Sequence, residues 1–192
     1  LLAAGADTNA YDAAAQLANP AAAYDALGRR TADERRAYQW SPDGLLTNAG
    51  GVSFSYDSLG NVLARDGQPL ACHPAIGGAP LVDDGTNWYV WTPGGALLYV
   101  VAQTEGHAVH HYRFDRSGHT IALVSTNGAV AEAYAYEPGG LELDPARSAL
   151  GNPFRFLGRY GIRAEGTNGD LYQVRARWYD ARTRAFLSPD PL

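Results

Sequence analysis

Apolar positions along the chain do not follow the 3.6-residue beat of a helix. Instead an aromatic residue is followed four positions later by glycine, six times over: Tyr24 with Gly28, Trp40 with Gly44, Tyr56 with Gly60, Trp91 with Gly95, Phe114 with Gly118 and Tyr136 with Gly140. In five of the six a second aromatic stands two residues earlier, as Tyr38, Phe54, Tyr89, Tyr112 and Tyr134, and aliphatic residues usually return just after the glycine. Aromatics at i and i+2 project from one face of a strand, and glycine supplies the positive φ of a tight turn. Each unit therefore predicts strand, turn, strand.

The spacing predicts an array. Units recur every 16 residues from Tyr24 through Trp40 to Tyr56, then at intervals of 35, 23 and 22. Such regularity is the mark of stacked supersecondary units. The long interval holds Cys72-His73-Pro74 and Gly77-Gly78-Ala79-Pro80, which read as an inserted loop or hairpin. Asn127-Gly128 between two β-rich runs predicts a further hairpin, and Asn168-Gly169 another. After the latter, Tyr172, Val174, Ala176 and Trp178 fall on one face of a predicted strand, with Gln173, Arg175, Arg177 and Tyr179 on the other. That strand reads as apolar on one side and cationic on the other.

Three regions follow. Residues 1–23 are an Ala-rich linker or helical lead-in, with twelve alanines in the first 26 residues. Tyr11-Asp12 echoes Tyr24-Asp25 there but lacks the glycine. Residues 24–149 are the hairpin array, and 150–192 a segment of different composition.

Composition agrees with a turn-rich β protein: Gly 22, Tyr 12 and Pro 11, with 18% charged residues. A single cysteine, Cys72, excludes a disulfide framework within the chain and a multi-cysteine zinc site. All 15 basic residues are arginine, and the chain has no methionine, as expected of a fragment. Residues 1–149 hold 8 Arg against 16 acids, and residues 150–192 hold 7 against 4. A net charge of −5 with an acidic body argues against nucleic-acid binding. No apolar run reaches the ~18 residues of a membrane span, and the opening residues are not an intact signal peptide.

Tyr24-Asp25-Ala26-Leu27-Gly28-Arg29 and Tyr56-Asp57-Ser58-Leu59-Gly60-Asn61 resemble the repeat of the YD-repeat, or RHS, family. The ordered run Pro153-Phe154-Arg155-Phe156, Gly158, Tyr160, then Tyr172, Arg175, Arg177-Trp178-Tyr179-Asp180, then Phe186-Leu187-Ser188 and Asp190-Pro191 looks like the RHS-associated core. The resemblance covers residues 24–192. It implies an all-β fold in which a strongly curved, mainly antiparallel sheet of hairpins forms part or all of a hollow shell. In polymorphic toxins, toxin complexes and type VI effectors such a shell encloses a toxic C-terminal domain. The animal teneurins use a similar shell for adhesion. The implied partners are the remaining shell segments, the enclosed toxin domain and a secretion-apparatus or toxin-complex component. The implied location is secreted or at the cell surface, and bacterial. The resemblance also implies aspartyl self-cleavage at two Asp-Pro-x-Gly elements. Asp190-Pro191-Leu192 matches only the start of the first, so Asp190 is a half-site within this chain.

Other chemistry is sparse. His107, His110 and His111 invite a metal reading, but on a strand His107 and His111 stand about 13 Å apart at ~3.3 Å per residue while His110 points away. A strand surface or pH-sensitive patch is the expectation. No phosphate loop, dinucleotide fingerprint or nucleophile elbow occurs, so no cofactor and no enzymatic activity are expected of the chain. The aromatic ladder can stabilise cross-strand packing or stack sugars. The arginines Arg155, Arg159, Arg175 and Arg177 are expected to pair internally or to grip a partner. Six repeat hairpins and the terminal hairpin make about fourteen strands, on the order of 65 Å of sheet at ~4.8 Å each, which must curl.

Overall fold

The computed structural model describes residues 10–12, 16–19, 22–74, 76, 80–144, 149–165 and 169–190. The start of the lead-in, Gly77-Gly78-Ala79, Asn168 and Pro191-Leu192 lie outside the described residues. β1 (Ala10–Tyr11) pairs with β2 (Leu17–Asn19), and β3 (Ala23–Tyr24) with β4 (Arg30–Ala32). β5 (Tyr38–Trp40), β6 (Leu46–Ala49), β7 (Val52–Tyr56), β8 (Val62–Arg65) and β9 (Gln68–Pro69) form a five-stranded sheet. β10 (Ala71–Cys72), β11 (Leu81–Asp83), β12 (Asn87–Trp91), β13 (Leu97–Ala102), β14 (Ala108–Phe114), β15 (Thr120–Ser125) and β16 (Val130–Ala133) form a seven-stranded one. β17 (Arg163–Glu165), β18 (Leu171–Val174), β19 (Arg177–Asp180) and β20 (Ala185–Phe186) make a four-stranded sheet. Every pairing is antiparallel and between chain neighbours.

The fold is all-β and antiparallel, as the repeats require. It is divided more finely than about fourteen strands in one sheet. Twenty short strands fall into five hydrogen-bonded sets among the described residues. The array is nonetheless one run of hairpins. The bridge Ala32 to Ala37 leads from β4 to β5, and only Leu70 separates β9 from β10, its amide donating to the Leu63 carbonyl at 2.7 Å. The lead-in departs from a helix or loose linker in its described part, which is the strand pair β1 and β2.

The turns explain the repeat residue by residue. In each, the residue after the aromatic donates its amide to the carbonyl four residues on, and the glycine amide donates back to it; Asp25, Arg29 and Gly28 give 2.9 and 3.0 Å. This is a type I turn closed by a G1 bulge, which needs positive φ at the glycine. The six repeat glycines have φ of 74, 84, 80, 78, 89 and 93°. The residue after the aromatic also closes the loop from its side chain. Asp25, Asp57 and Asp115 carboxylates, and the Ser41 and Thr92 hydroxyls, accept the amide four residues on at 2.9 to 3.1 Å. Any short oxygen-bearing side chain serves, so the aspartate gives way to Ser and Thr without loss of the turn. Asp12 makes the same pair of bonds with Gln16, and Tyr11 faces Leu17 across the strands, so Tyr11-Asp12 begins a further unit.

The run from Tyr172 to Tyr179 is not one strand. β18 turns back into β19 at Arg175-Ala176, pairing Tyr172 with Tyr179 and Gln173 with Trp178. Leu171 and Trp178 pack on the five-stranded sheet with Tyr38, Leu46, Phe54 and Val62, while Tyr172 and Tyr179 pack with Phe156 and Leu141. Both faces are covered, so the apolar and cationic split of a single strand is absent. The seven-stranded sheet buries Tyr89, Leu97, Val100, Tyr112 and Leu123 under Leu150 and Phe154. Each sheet thus packs one face on the terminal segment, the seven-stranded one on Leu150 and Phe154 and the five-stranded one on Leu171, Trp178 and Leu187.

The core segment also closes over the turn glycines Gly118, under Tyr160, and Gly140. A Cβ at Gly140 would meet the Phe156 ring at 2.7 Å, whereas one at Gly44 meets nothing within 4 Å. Gly140→Ala should therefore cost about 2–4 kcal/mol, from the backbone and the displaced ring together, and Gly44→Ala about 1 kcal/mol from the backbone alone. Urea unfolding of the two variants checks the difference.

Candidate functional site: the seam between array and core segment

The residue two beyond each repeat glycine faces the aromatic across the hairpin, and it is buried in all six units. Leu46, Val62 and Leu97 fill it in three units. Arg30, Thr120 and Glu142 fill it in the other three, all buried. Each of these polar exceptions bonds to the core segment.

Arg30 is 0% exposed. Its Nη1 donates to Asp180 Oδ2 at 2.8 Å and both terminal nitrogens reach Thr183 Oγ1, which itself donates to Asp180. Its backbone amide donates to the Leu187 carbonyl at 2.7 Å, and Trp40 Nε1 closes on its carbonyl. Asp33 stands beside this cluster, 3.8 Å from Arg30 Nη1, accepting the Tyr38 hydroxyl at 2.6 Å and two backbone amides. Burial pushes its carboxyl up, but the Tyr38 hydroxyl, those amides and Arg30 more than offset it and hold it below the usual range. Next along, Arg36 pairs with buried Asp170, and Arg65 with buried Glu165 at 3.2 Å. Burial pushes Glu165 up against the pull of Arg163 and Arg65.

At the other end Thr120 Oγ1 donates to the Phe154 carbonyl at 2.7 Å, and Glu142 accepts Arg155 Nη1 at 2.6 Å. Burial raises Glu142 and Arg155 opposes it. Asn152, fully enclosed, accepts the Tyr112 hydroxyl at 2.7 Å and donates to Tyr134 and to the Phe154 carbonyl. Asn87 and Glu132 hold the two sides of the Leu150 backbone. Phe154 then sits edge-on between Tyr89 and Trp91, with ring centroids 4.9 and 5.2 Å away.

The residues singled out by sequence divide along this seam. Tyr24, Trp40, Tyr56, Trp91, Phe114 and Tyr136 frame the array, and Trp40, Tyr56, Trp91 and Tyr136 each donate to a backbone carbonyl of the neighbouring strand. Arg155 and Asp180 are in the seam. Gly158 is buried where a Cβ would meet Thr120 Oγ1 at 2.8 Å, and the Tyr160 ring covers Gly118. Tyr179 donates to the Gly139 carbonyl. Arg177 lies 3.8 Å over the Phe186 ring and 3.2 Å from Asp190, whose carboxylate is 65% exposed. Arg155 pairs with Glu142 and Arg177 with Asp190, whereas Arg159 and Arg175 are exposed and make no ion pair among the described residues.

The histidines do not form one surface. His107 stacks on Trp88 and His111 packs edge-on to Tyr99, but His110 is buried on the inward face with Tyr112. Among the described residues no group of three His, Cys, Asp or Glu side chains is arranged to hold a metal ion. Cys72 is half-buried, its thiol pushed up by burial. Of the four tryptophans Trp178 is 3% exposed and Trp40 and Trp91 are bonded to backbone, leaving Trp88 as the exposed one. Sequence reading missed Arg30, Arg36, Arg65, Asn152, Glu165 and Asp170; the available signal was a charge at Arg30 and Glu142 where other units carry an aliphatic residue.

No family model matches the chain. In sequence it is 25% identical over 185 residues to the tRNA3(Ser)-specific nuclease WapA of Bacillus spizizenii, and 24% over 182 residues to the tRNA(Glu)-specific nuclease WapA of Bacillus subtilis subsp. natto. Each match covers 88% of this chain and 8% of the relative. In fold it is similar to the crystal structure of TcdB2-TccC3, with a TM-score of 0.65 at 16% identity over 88% of this chain and 10% of that one. The Photorhabdus luminescens Tc holotoxin pore gives 0.62 at 16% identity, covering 88% and 9%. The sequence is thus similar to a small part of WapA nucleases, and the fold is shared with part of the TccC3-containing structures. The chain spans about a tenth or less of the proteins it matches. No helix among the described residues is long and apolar enough to cross a membrane.

Arg30→Ala leaves Asp180 buried without its guanidinium and should cost about 3–5 kcal/mol, while Arg30→Met with Asp180→Leu should recover most of it. Denaturant midpoints of the single and double variants test this. Asp33, with its folded pKa depressed, contributes stability that is complete above the ordinary Asp value of about 3.9 and is lost as pH falls through the folded value. Asp33→Asn should be less stable than the parent by about 1–3 kcal/mol at neutral pH. Thermal unfolding should show the two converging as the pH falls below the folded value.

Proposed function

We propose that this segment is a piece of the wall of an encapsulating RHS/YD-type shell, in a secreted bacterial toxin or effector, and that it performs no chemistry of its own. The observation that carries the reading is that residues 150–190 are held against the array from its first full unit, through Arg30 and Leu187, to its last, through Glu142 and Arg155. A segment so held makes a closed, rigid end for a run of hairpins. The regions 24–149 and 150–192 are in this reading array and closing core of one wall. The similarity to WapA nucleases and to TccC3-containing assemblies, over most of this chain and a small part of theirs, supports a scaffold shared by proteins with different active regions. In the whole protein the partners are the other shell segments, an enclosed C-terminal toxin domain and a toxin-complex or secretion component. A second reading makes Asp190 half of an aspartyl self-cleavage site that only a longer chain would complete. The exposed, ion-paired position of Asp190 beside Arg177 suits that role.

Limited proteolysis of the full-length protein tests the shell. The region beyond Leu192 should survive in the native protein and be digested at least about tenfold faster when Phe154→Ala and Trp178→Ala, which should each remove about 3–5 kcal/mol of packing, loosen the wall. Equal digestion rates in the native and the loosened protein would sink the reading.

A further inference from the structure

A cleft of about 640 Å³ opens where the five- and seven-stranded sheets meet, between the turns of Gly44, Gly60 and Gly95 and the core segment. The volume falls within the range of small-molecule sites. Its walls mix polar and apolar groups; Trp91 is among the apolar ones, and its N–H is already used on the Leu81 carbonyl at 2.9 Å, so the indole offers only its carbon surface. Leu59 is 84% exposed on the rim.

One end is cationic. Arg163 and Gln173 face each other across β17 and β18, with Arg163 donating to Gln173 Oε1, and Arg175 follows two residues on. Asp43 is the single carboxylate among the lining residues, against these two guanidiniums, in a chain whose net charge is −5. Arg163 is already engaged beside buried Glu165. Arg175 is different: it is exposed and makes no hydrogen bond or ion pair among the described residues.

Its backbone sharpens the point. Arg175 opens the two-residue turn between Val174 and Arg177 with φ of 54°, the place where such a turn favours glycine. A side chain kept at a strained position without an internal partner points to a use outside the fold. We infer that the cleft is a binding site for a small organic anion, an apolar body carrying one carboxylate or sulfonate. The body lies against Trp91 and Leu59 and the anionic group is taken by Arg175. This goes beyond the shell reading and does not depend on it.

Fluorescence titration with anilinonaphthalene sulfonate tests the site. The intact chain should bind it saturably at one site, with quenching of tryptophan emission that is lost in Trp91→Phe. Arg175→Gly suits the turn and removes the cation, so the fold is kept; affinity should fall about tenfold, as for loss of a charge-assisted contact, and Arg175→Lys should retain most of it. The neutral N-phenylnaphthylamine should bind the parent and Arg175→Gly alike. Unchanged sulfonate affinity in Arg175→Gly, or the absence of saturable binding, overturns the assignment. So does competition by a capped Leu-Asp-Leu peptide but not by free indole acetate, which would make the site one for acidic peptide.

Discussion

A guanidinium removed from water must be paired, and Arg30 is removed completely. The cost of leaving a buried ion unpaired is several kcal/mol, so the fold must bring Asp180 and Thr183 to it across some 150 residues of chain. That single requirement ties the first full hairpin to the last one, across the sheets between them. The neighbouring contacts Arg36 to Asp170 and Arg65 to Glu165 repeat the arrangement along one sheet, while Glu142 to Arg155 fixes the far end. Buried ion pairs contribute little net stability over apolar residues of the same shape; what they confer is a single register. Sliding the core segment by one hairpin would set Asp180 against Leu46.

The repeat unit itself is economical. Its glycine, its turn-closing oxygen and its paired aromatics each do a local job, and the position two beyond the glycine is left to face whatever covers the array. Where that position is aliphatic the cover is apolar, from Leu171, Trp178 and Phe154. Where it is polar the cover answers with a complementary group. An array of nearly identical hairpins thereby acquires addresses, without any change to the turns that build it.

How much of this was readable before the structure differs by element. The turns at Gly28, Gly44 and Gly60 were legible because a positive φ and a neighbouring side-chain oxygen are local demands. Tyr11-Asp12 was only half legible, since its closing bonds survive without the glycine that marks the others. The hairpin at Arg175-Ala176 was not legible at all: an arginine stands where the turn wants glycine, and alternation ran on through it as though the strand were continuous. His110 was misplaced for a related reason, because a strand pattern assigns a face but not which face is covered.

The sequence by itself determined the hairpin array and its antiparallel sense, because these rest on contacts within a unit. Only the tertiary structure decided that the terminal segment packs on the buried face of the array, that Arg30 and Asp180 are partners, and that Arg175 has none among the described residues. Those facts depend on which distant surfaces meet, and burial turns an ordinary surface charge into a constraint only after they have met.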